Sequence, residues 1–348
     1  MGQWRYVSEC SVKALLWRWF RALSKLLGRG LVLCLKLIIS HYPRQSCLIH
    51  VTYDANGKFD GLGAQAQRII AIRGLASFLN VSYRQSQISQ IAIHPLDGLS
   101  MPSDYTEYLG HVNNVFAFKD DCNCNSFEEK SIADFHYSHL IEILLRLLGG
   151  RSICFRITHP FEIVDLFPSI YEHVDLTSVT SKLEIFREDE SKLDLVVHYR
   201  QGSGNPSANP LGRAIEHQRY QQTINKILLN SPQFRNRFSI MTDAPLGFLE
   251  FHPSKDQLNA WVGLPGFDGK TLQMYPLDSN SLFDQMDYEP SVISGGNPLV
   301  CLSILSSAKV LVMAKSSFSF VAALMNKEAI IYYPKDFWHP RVRSWVTY

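Results

Sequence analysis

The chain has 348 residues, of which 46% are hydrophobic, 19% charged and 12% aromatic, a composition that excludes collagen-like, low-complexity and disordered proteins. The 34 lysines and arginines nearly balance the 32 acidic residues, and a formal charge of +2 lacks the global positive field of a nucleic-acid-binding protein. At about 100–200 residues per domain, the length predicts two domains, or one two-lobed enzyme with a cleft between the lobes.

The first 46 residues are both basic and apolar. Lys36 breaks the longest uncharged stretch, which is far shorter than the about 20 apolar residues that a spanning helix needs. Arg18, Arg21, Lys25 and Arg29 interrupt the core of a signal peptide. The spacing of the apolar residues predicts an amphipathic helix at 11–27. Two interpretations remain open: the helix packs on the body of the protein, or it contacts an anionic membrane surface.

Seven scattered cysteines do not form the dense pattern of a disulfide scaffold, which favours a reducing, cytoplasmic setting. Cys122, Cys124, His136 and His139 are four candidate zinc ligands. Their CxC and HxxH spacing lacks the usual CxxC pair, and buried thiols and surface histidines are common. We therefore expect no metal ion.

From residue 47 the chain alternates between short apolar runs and helical patterns. Up to residue 190, strands are expected at 47–51, 115–118 and 152–157, and helices at 65–79 and 133–148. From residue 191, strands are expected at 193–199, 237–241, 310–313 and 329–333, helices at 215–229, 302–307 and 320–325, and a serine loop at 316–319. This alternation predicts an α/β fold of two Rossmann-like domains, 47–190 and 191–348, with a cleft between them.

Polar side chains follow three predicted strands of the second domain, where ligands of parallel sheets bind. Arg200 follows the first of these strands, and its rigid fork of donors suits two phosphate oxygens. Asp243 follows the second and can accept hydrogen bonds from a base or ribose. Ser316, Ser317 and Ser319 precede a helix, whose amino terminus favours phosphate. Each feature is weak alone, but together they favour a nucleotide site.

Four motifs stand out in the chain: a glycine loop at 60–65 (DGLGAQ), an H-x-R motif at 198–202 (HYRQG), the pair Thr242-Asp243, and an S-S-F-S motif at 316–319. They resemble the motifs of the fucosyltransferase-like superfamily, which includes α-1,2- and α-1,6-fucosyltransferases. The resemblance spans about residues 47–340. It implies a GT-B glycosyltransferase that inverts the anomeric carbon without a metal, takes a GDP-sugar as co-substrate, and uses no other cofactor. GDP-fucose is the first expected donor, and other GDP- or UDP-linked sugars stay open.

The resemblance also implies which residues bind the donor. These residues are Gly61, Gly63, Gln65, His198, Arg200, Thr242, Asp243, Ser316, Ser317 and Ser319. Arg200 matches the arginine that the family uses on the phosphates. Gln201 and Ser203 stand where the family commonly has a second arginine and an acid, so a non-catalytic GDP-sugar-binding or lectin-like protein is the alternative. An oxidoreductase is disfavoured because Ala66 breaks the G-x-G-x-x-G pattern.

The chemistry requires a positive group that meets the departing diphosphate. No D-x-D pair follows a predicted strand, so we assign this role to Arg200 and the serine loop. Glu216 and Asp60 are candidates for the base that accepts the proton of the acceptor hydroxyl. Trp338 and His339 either stack on a sugar or, more commonly for such residues, pack in the core. The expected partners are a nucleotide sugar and a carbohydrate acceptor, in surface polysaccharide or glycan synthesis.

Overall fold

The computed structural model describes residues 26, 30–37, 48–55, 60–93, 96–97, 103–121, 127–187, 194–200, 215–246, 248–252, 270–274 and 290–348. Apart from Leu26, the helix expected at 11–27 lies outside these residues, as do Cys122, Cys124, Gln201 and Ser203. Residues 30–37 are helical. In the described ranges, every helix is too short or too polar to cross a membrane.

Strands and helices alternate along much of the described chain, apart from four successive strands between residues 238 and 294 and two at 330–347. The strands are β1 (Ile49–Tyr53), β2 (Ser82–Tyr83), β3 (Glu128–Asp134), β4 (Ile153–His159), β5 (Leu195–Tyr199), β6 (Phe238–Thr242), β7 (Leu249–Phe251), β8 (Leu272–Met274), β9 (Ser291–Ser294), β10 (Val310–Val312), β11 (Ile330–Tyr333) and β12 (Val346–Thr347). The labelled helices are α1 (Leu62–Leu79), α2 (Ser103–Val115), α3 (Tyr137–Leu148), α4 (Phe161–Leu166), α5 (Thr177–Leu183), α6 (His217–Asn230), α7 (Pro298–Ser307) and α8 (Ser317–Met325).

The first sheet has four parallel strands in the order β2-β1-β4-β3. Its central strand β1 is buried along its whole length, as a strand between two parallel neighbours usually is. The expected strands at 47–51 and 152–157 correspond to β1 and β4, and the expected helix at 65–79 lies within α1.

Two expectations in this half are wrong. The apolar run at 115–118 is not a strand, because α2 extends to Val115 and the Phe116 amide continues the helical pattern by donating to the Val112 carbonyl. The helix expected from residue 133 begins only at Tyr137, because Ala133 belongs to β3. The charges of β3 conceal it from a hydrophobicity pattern, and some are neutralised by α3: Lys130 pairs with Glu142 at 2.7 Å.

The second sheet has six parallel strands in the order β12-β11-β10-β5-β6-β9. Numbered from its first strand, this is the 3-2-1-4-5-6 order of a Rossmann fold. One of its faces packs on α6 in a core cluster whose members are fully or almost fully buried. This cluster contains Leu195, Val197, Tyr199, Ile215, Tyr220, Ile224, Ile227, Leu228, Phe238, Ile240, Ala244, Val310 and Val312. The two parallel sheets confirm the predicted α/β fold class of two Rossmann-like units.

The chain divides into two compact units whose bounds differ from a simple cut near residue 190. One unit consists of residues 1–54, 70–86 and 118–174, and the other of residues 55–69, 87–117 and 175–348. The first sheet belongs to the former unit and the second sheet to the latter. The glycine loop at 60–65 therefore lies in the same unit as β5, β6 and β10. The domain boundaries expected from the sequence stay a prediction.

Candidate functional site

The second sheet reverses its winding between β5 and β10. The chain leaves β5 through α6 to reach β6 on one side, and it leaves β10 through α8 to reach β11 on the other side. In open parallel sheets, such a switch point leaves a crevice beyond the carboxyl ends of the two strands, where ligands bind. Arg200 directly follows β5, Asp243 follows the neighbouring β6, and Ser316 lies in the turn after β10.

Contacts of its guanidinium group hold Arg200 across this crevice. Its Nη1 donates to the Ser316 hydroxyl oxygen at 3.2 Å, and its Nε lies 3.3 Å from Asp243 Oδ2. One third of the Arg200 side chain is exposed. The three residues that the sequence places at separate strand ends therefore meet, and they leave a partly accessible cation between an acid and a helix amino terminus.

The amino terminus of α8 forms the other side of this site. Ser316 is the N-cap residue, and its hydroxyl oxygen accepts from the Phe318 amide at 3.2 Å. The expectation of a loop at 316–319 is wrong in part, because Ser317 and Ser319 belong to the first turn of α8. The Ser319 hydroxyl is fully buried and donates to the carbonyls of Ala314 and Ser316, at 3.1 and 3.2 Å. Ser319 therefore shapes the turn from within, whereas Ser316 contacts Arg200.

His198 is a buried neutral imidazole beside Arg200. Burial lowers the pKa of His198 to about 4, and the nearby Asp243 carboxylate opposes this effect more than Arg200 adds to it. Among the described residues, no group forms a hydrogen bond with its Nδ1, and its ring centroid lies 6.0 Å from that of Phe318. A buried nitrogen without a partner is costly, so this atom is a candidate for contact with a ligand. The sequence motif identified the residue but not this property.

Thr242 has a structural role at the end of β6. Its side chain is buried, and its hydroxyl oxygen accepts from the Ala244 amide at 3.0 Å. This bond closes the turn that presents Asp243. The contact of Thr242 with the donor, which the motif implies, stays a prediction.

The glycine loop packs against the first turn of α8. A Cβ atom on Gly63 would lie 2.5 Å from the backbone N and Cα of Phe318, whereas one on Gly61 would meet nothing closer than 3.9 Å. Neither glycine has a positive φ, so a left-handed turn does not explain why glycine occupies these positions. The close approach that Gly63 permits is to the protein's own backbone.

The other polar residues near the glycine loop are committed to the fold. Gln65 is fully buried, and its side-chain amide donates to the Gln90 carbonyl at 3.2 Å. Asp60 pairs with Arg68 at 2.6 Å. These contacts assign Gln65 a packing role and make Asp60 a partner of a buried guanidinium. Neither role was visible in the glycine pattern.

Glu216, the candidate base, is the N-cap residue of α6. It is exposed, and its carboxylate does not cap the helix. Its carbonyl accepts from the Arg219 amide at 3.0 Å. The structure does not bring Glu216 into contact with Arg200, Asp243 or Ser316 through any hydrogen bond among the described residues. Its role as a base stays a prediction.

A network that the motifs do not contain centres on His339. The imidazole Nε2 lies 3.1 Å from the Ser317 hydroxyl and accepts from the Trp338 indole N–H at 3.0 Å, while the terminal amide of Gln67 lies 2.9 Å from Nδ1. His339 is buried, which lowers its pKa to about 3. His339 therefore packs in the core and is not placed to stack on a sugar, whereas Trp338 is 44% exposed.

Within the described ranges, no group of three or more histidine, cysteine, aspartate or glutamate side chains is placed to hold a metal ion. His136, one of the candidate zinc ligands, instead hydrogen-bonds to the Glu162 carboxylate through Nδ1, and its backbone amide donates to His139 Nδ1 at 3.0 Å. The expected independence from metals stays a prediction, because Cys122 and Cys124 are outside the described part.

The chain is similar to solved structures but not to a known sequence family. No family model and no curated protein matches the sequence. Among solved structures, the chain is similar to E. coli heptosyltransferase WaaC with ADP, at a TM-score of 0.37 and 7% identity over 86% of this chain and 92% of that one. It is also similar to the E. coli ADP-heptose LPS heptosyltransferase II, at a TM-score of 0.33 and 9% identity over 86% of this chain and 89% of that one. A third similar structure is a family 9 glycosyl transferase from Veillonella parvula, at a TM-score of 0.33 and 10% identity over 86% of this chain and 84% of that one. A likeness at this level does not establish an activity or a substrate.

Proposed function

We propose that this protein is an inverting, metal-independent glycosyltransferase that takes its sugar from a nucleoside diphosphate. The observation that carries the proposal is Arg200, which lies between Asp243 and Ser316 at the switch point of a 3-2-1-4-5-6 parallel sheet. A fork of donors beside a helix amino terminus suits a diphosphate. The fucosyltransferase-like motifs favour GDP-fucose as the donor and a carbohydrate as the acceptor.

In the proposed reaction, an acceptor hydroxyl oxygen attacks the anomeric carbon while the bond from this carbon to the diphosphate oxygen breaks. The electron pair of the broken bond leaves with the nucleoside diphosphate, and the proton of the hydroxyl passes to a base, for which we propose Glu216. Arg200 and the first amides of α8 face the negative charge that grows on the leaving group. Because His198 is neutral, its ring adds a hydrogen-bonding group without adding charge.

The proposal is tested by isothermal titration calorimetry of the protein with GDP, ADP, UDP and NAD in EDTA. We expect a nucleoside diphosphate to bind, and Arg200→Ala to weaken binding by about 10- to 100-fold, the effect of losing a charged hydrogen bond. Arg237→Ala is the matched control, because Arg237 precedes β6 at the opposite edge of the same sheet, where it pairs with Asp194 at 3.0 Å. The affinity of Arg237→Ala for the nucleoside diphosphate should equal that of the wild type.

The choice of nucleotide separates the alternatives. Preference for GDP supports a GDP-sugar, whereas preference for ADP or UDP keeps the transferase and changes the donor. Binding of NAD alone, or no binding by a folded protein, overturns the proposal. Release of GDP from GDP-fucose, followed by chromatography, then distinguishes the transferase from a non-catalytic GDP-sugar-binding protein, which retains affinity but does not break the glycosidic bond.

A further inference from the structure

The turn that would hold the phosphates is tied to α1 through one imidazole. His339 contacts Ser317 through Nε2 and Gln67 through Nδ1, so its ring connects the first turn of α8 to the second turn of α1. Gly63 brings the same two helices into backbone contact at Phe318. Two independent contacts therefore fix the position of the α8 amino terminus relative to α1.

The proton positions in this network follow from its donors. The indole N–H of Trp338 can only donate, so Nε2 of His339 must be an acceptor, and the proton of the neutral ring lies on Nδ1. The structure places Gln67 Nε2 at 2.9 Å from Nδ1, but two donors cannot pair, so the side-chain amide must be turned to present its oxygen to Nδ1, an orientation that hydrogen-bonding partners decide. Gln67 thus fixes the tautomer that lets His339 accept from Ser317.

The two donors that converge on Nε2 have different options. The Trp338 indole has one hydrogen with a fixed direction, whereas the Ser317 hydroxyl hydrogen can rotate. When a phosphate oxygen approaches, this hydrogen can turn toward it while Trp338 continues to satisfy Nε2. Ser317 therefore gains a ligand contact without leaving a buried acceptor unpaired.

We propose that His339 is a positioning residue, which Gln67 holds in one tautomer so that Ser317 can donate to a phosphate of the bound nucleotide. This inference rests on the proposed function, since it assigns Ser317 to the diphosphate site. Gln67 itself lies on the other side of the imidazole from Ser317, and we assign it no contact with the ligand. A change at Gln67 should therefore reach the nucleotide only through His339.

The network is tested first without a ligand, by urea unfolding of Gln67→Leu, Ser317→Ala and the double variant. If His339 couples the two residues, their effects on the free energy of unfolding are not additive, and they become additive in a His339→Phe background. Additivity in the wild-type background would overturn the inference whether or not a nucleotide binds.

Calorimetry with the nucleoside diphosphate that binds the wild type best is the second test. We expect about a tenfold loss of affinity in His339→Phe and a smaller loss in Gln67→Leu, the effect of a lost hydrogen bond. His339→Gln, whose amide reaches the position of Nε2, should recover part of the affinity, which a purely structural role would not explain. His50→Phe removes an equally buried imidazole from the first sheet and should leave the affinity unchanged.

Two results contradict the inference at this stage. Unchanged affinity in both Gln67→Leu and His339→Phe would show that the network only stabilises the fold. A folded wild type that binds none of the nucleotides would overturn the proposed function, and the role assigned to Ser317 with it. The unfolding experiment tells these cases apart, since the coupling between Gln67 and Ser317 does not depend on a ligand.

Discussion

The two edges of the second sheet use charged residues differently. At the amino edge, the buried Asp194 precedes β5 and contacts two cations, Arg237 at 3.0 Å and Lys309 at 2.9 Å. At the carboxyl edge, the cation Arg200 has one carboxylate, Asp243, and one hydroxyl, Ser316. At the amino edge a buried carboxylate is neutralised by two cations, whereas at the carboxyl edge a single cation lies between a carboxylate and a hydroxyl at the switch point. We therefore expect the charges of the amino edge to contribute to stability and Arg200 at the carboxyl edge to contribute to nucleotide binding. The following experiments test this difference.

Lowering the pH should have the largest effect on the free energy of unfolding, because His198 at the carboxyl edge is buried as a neutral imidazole. The pKa of His198 is lowered from 6.5 to about 4, so the unfolded chain binds one more proton than the folded protein between these pH values. The free energy of unfolding therefore falls as the pH falls, by about 3 kcal/mol in total from this residue. Urea unfolding at pH 4 to 7 measures this change.

The matched variant for this experiment is His198→Asn, which does not titrate in the same window. Its free energy of unfolding should depend less steeply on pH than that of the wild type, by about 1.4 kcal/mol per pH unit. Parallel pH profiles for the two proteins would show that His198 is not a buried neutral base.

A methyl group at Gly63 should have the next largest effect. Gly63→Ala places a Cβ atom 2.5 Å from the Phe318 backbone, so α1 and α8 must separate, at a cost of about 1–3 kcal/mol. Gly61→Ala is the control in the same loop, and its added atom meets nothing closer than 3.9 Å. Its stability should stay within about 0.5 kcal/mol of the wild type. Equal thermal shifts for the two variants would argue against the close packing.

Removing the charge at the amino edge should affect stability alone. Asp194→Asn keeps the shape of a buried side chain but leaves Arg237 and Lys309 without their carboxylate, which should cost about 1 kcal/mol, since both cations are partly exposed. Nucleotide affinity should change less than twofold. A larger loss of affinity in this variant than in Arg200→Ala would reverse the comparison between the edges.

The smallest expected effect is that of metal removal. Because the proposed leaving-group stabilisation comes from Arg200 and the α8 amides, EDTA should not change nucleotide affinity or donor turnover. Titration in EDTA and then in excess Mg²⁺ measures this. A rise in affinity of more than about tenfold with Mg²⁺ would indicate that a metal, not the protein alone, neutralises the diphosphate.

Four of the six strands of the second sheet were predictable because their signals are local, whereas β9 and β12 were not expected. β5, β6, β10 and β11 are short apolar runs bounded by polar residues, and such runs mark buried parallel strands. In the first sheet, β3 was missed because it is an edge strand with charged side chains and no apolar run; these charges are paired with α3 and with Arg156 of β4. Residue 116 was misassigned because a helix can end in buried aromatic residues.

Part of the candidate site was also predictable. Arg200, Asp243 and Ser316 were identified because polar residues at the carboxyl ends of parallel strands converge, whatever the order of the strands. A motif does not state where a side chain points, as Ser319 and Gln65 show, and their binding to the donor stays a prediction. The structure directs both into the protein, where they bond to backbone carbonyls.

The sequence by itself determined the alternation of strands and helices, the parallel α/β class, and the polar groups that end three strands, since each depends on hydrophobic periodicity and on residues close in the chain. Only the tertiary structure decided the strand order, the packing of Gly63 on Phe318, and the contacts of His339. These join residues as distant as 67 and 339, and their geometry depends on how the helices pack. A single sequence contains the participants of such contacts but not their distances.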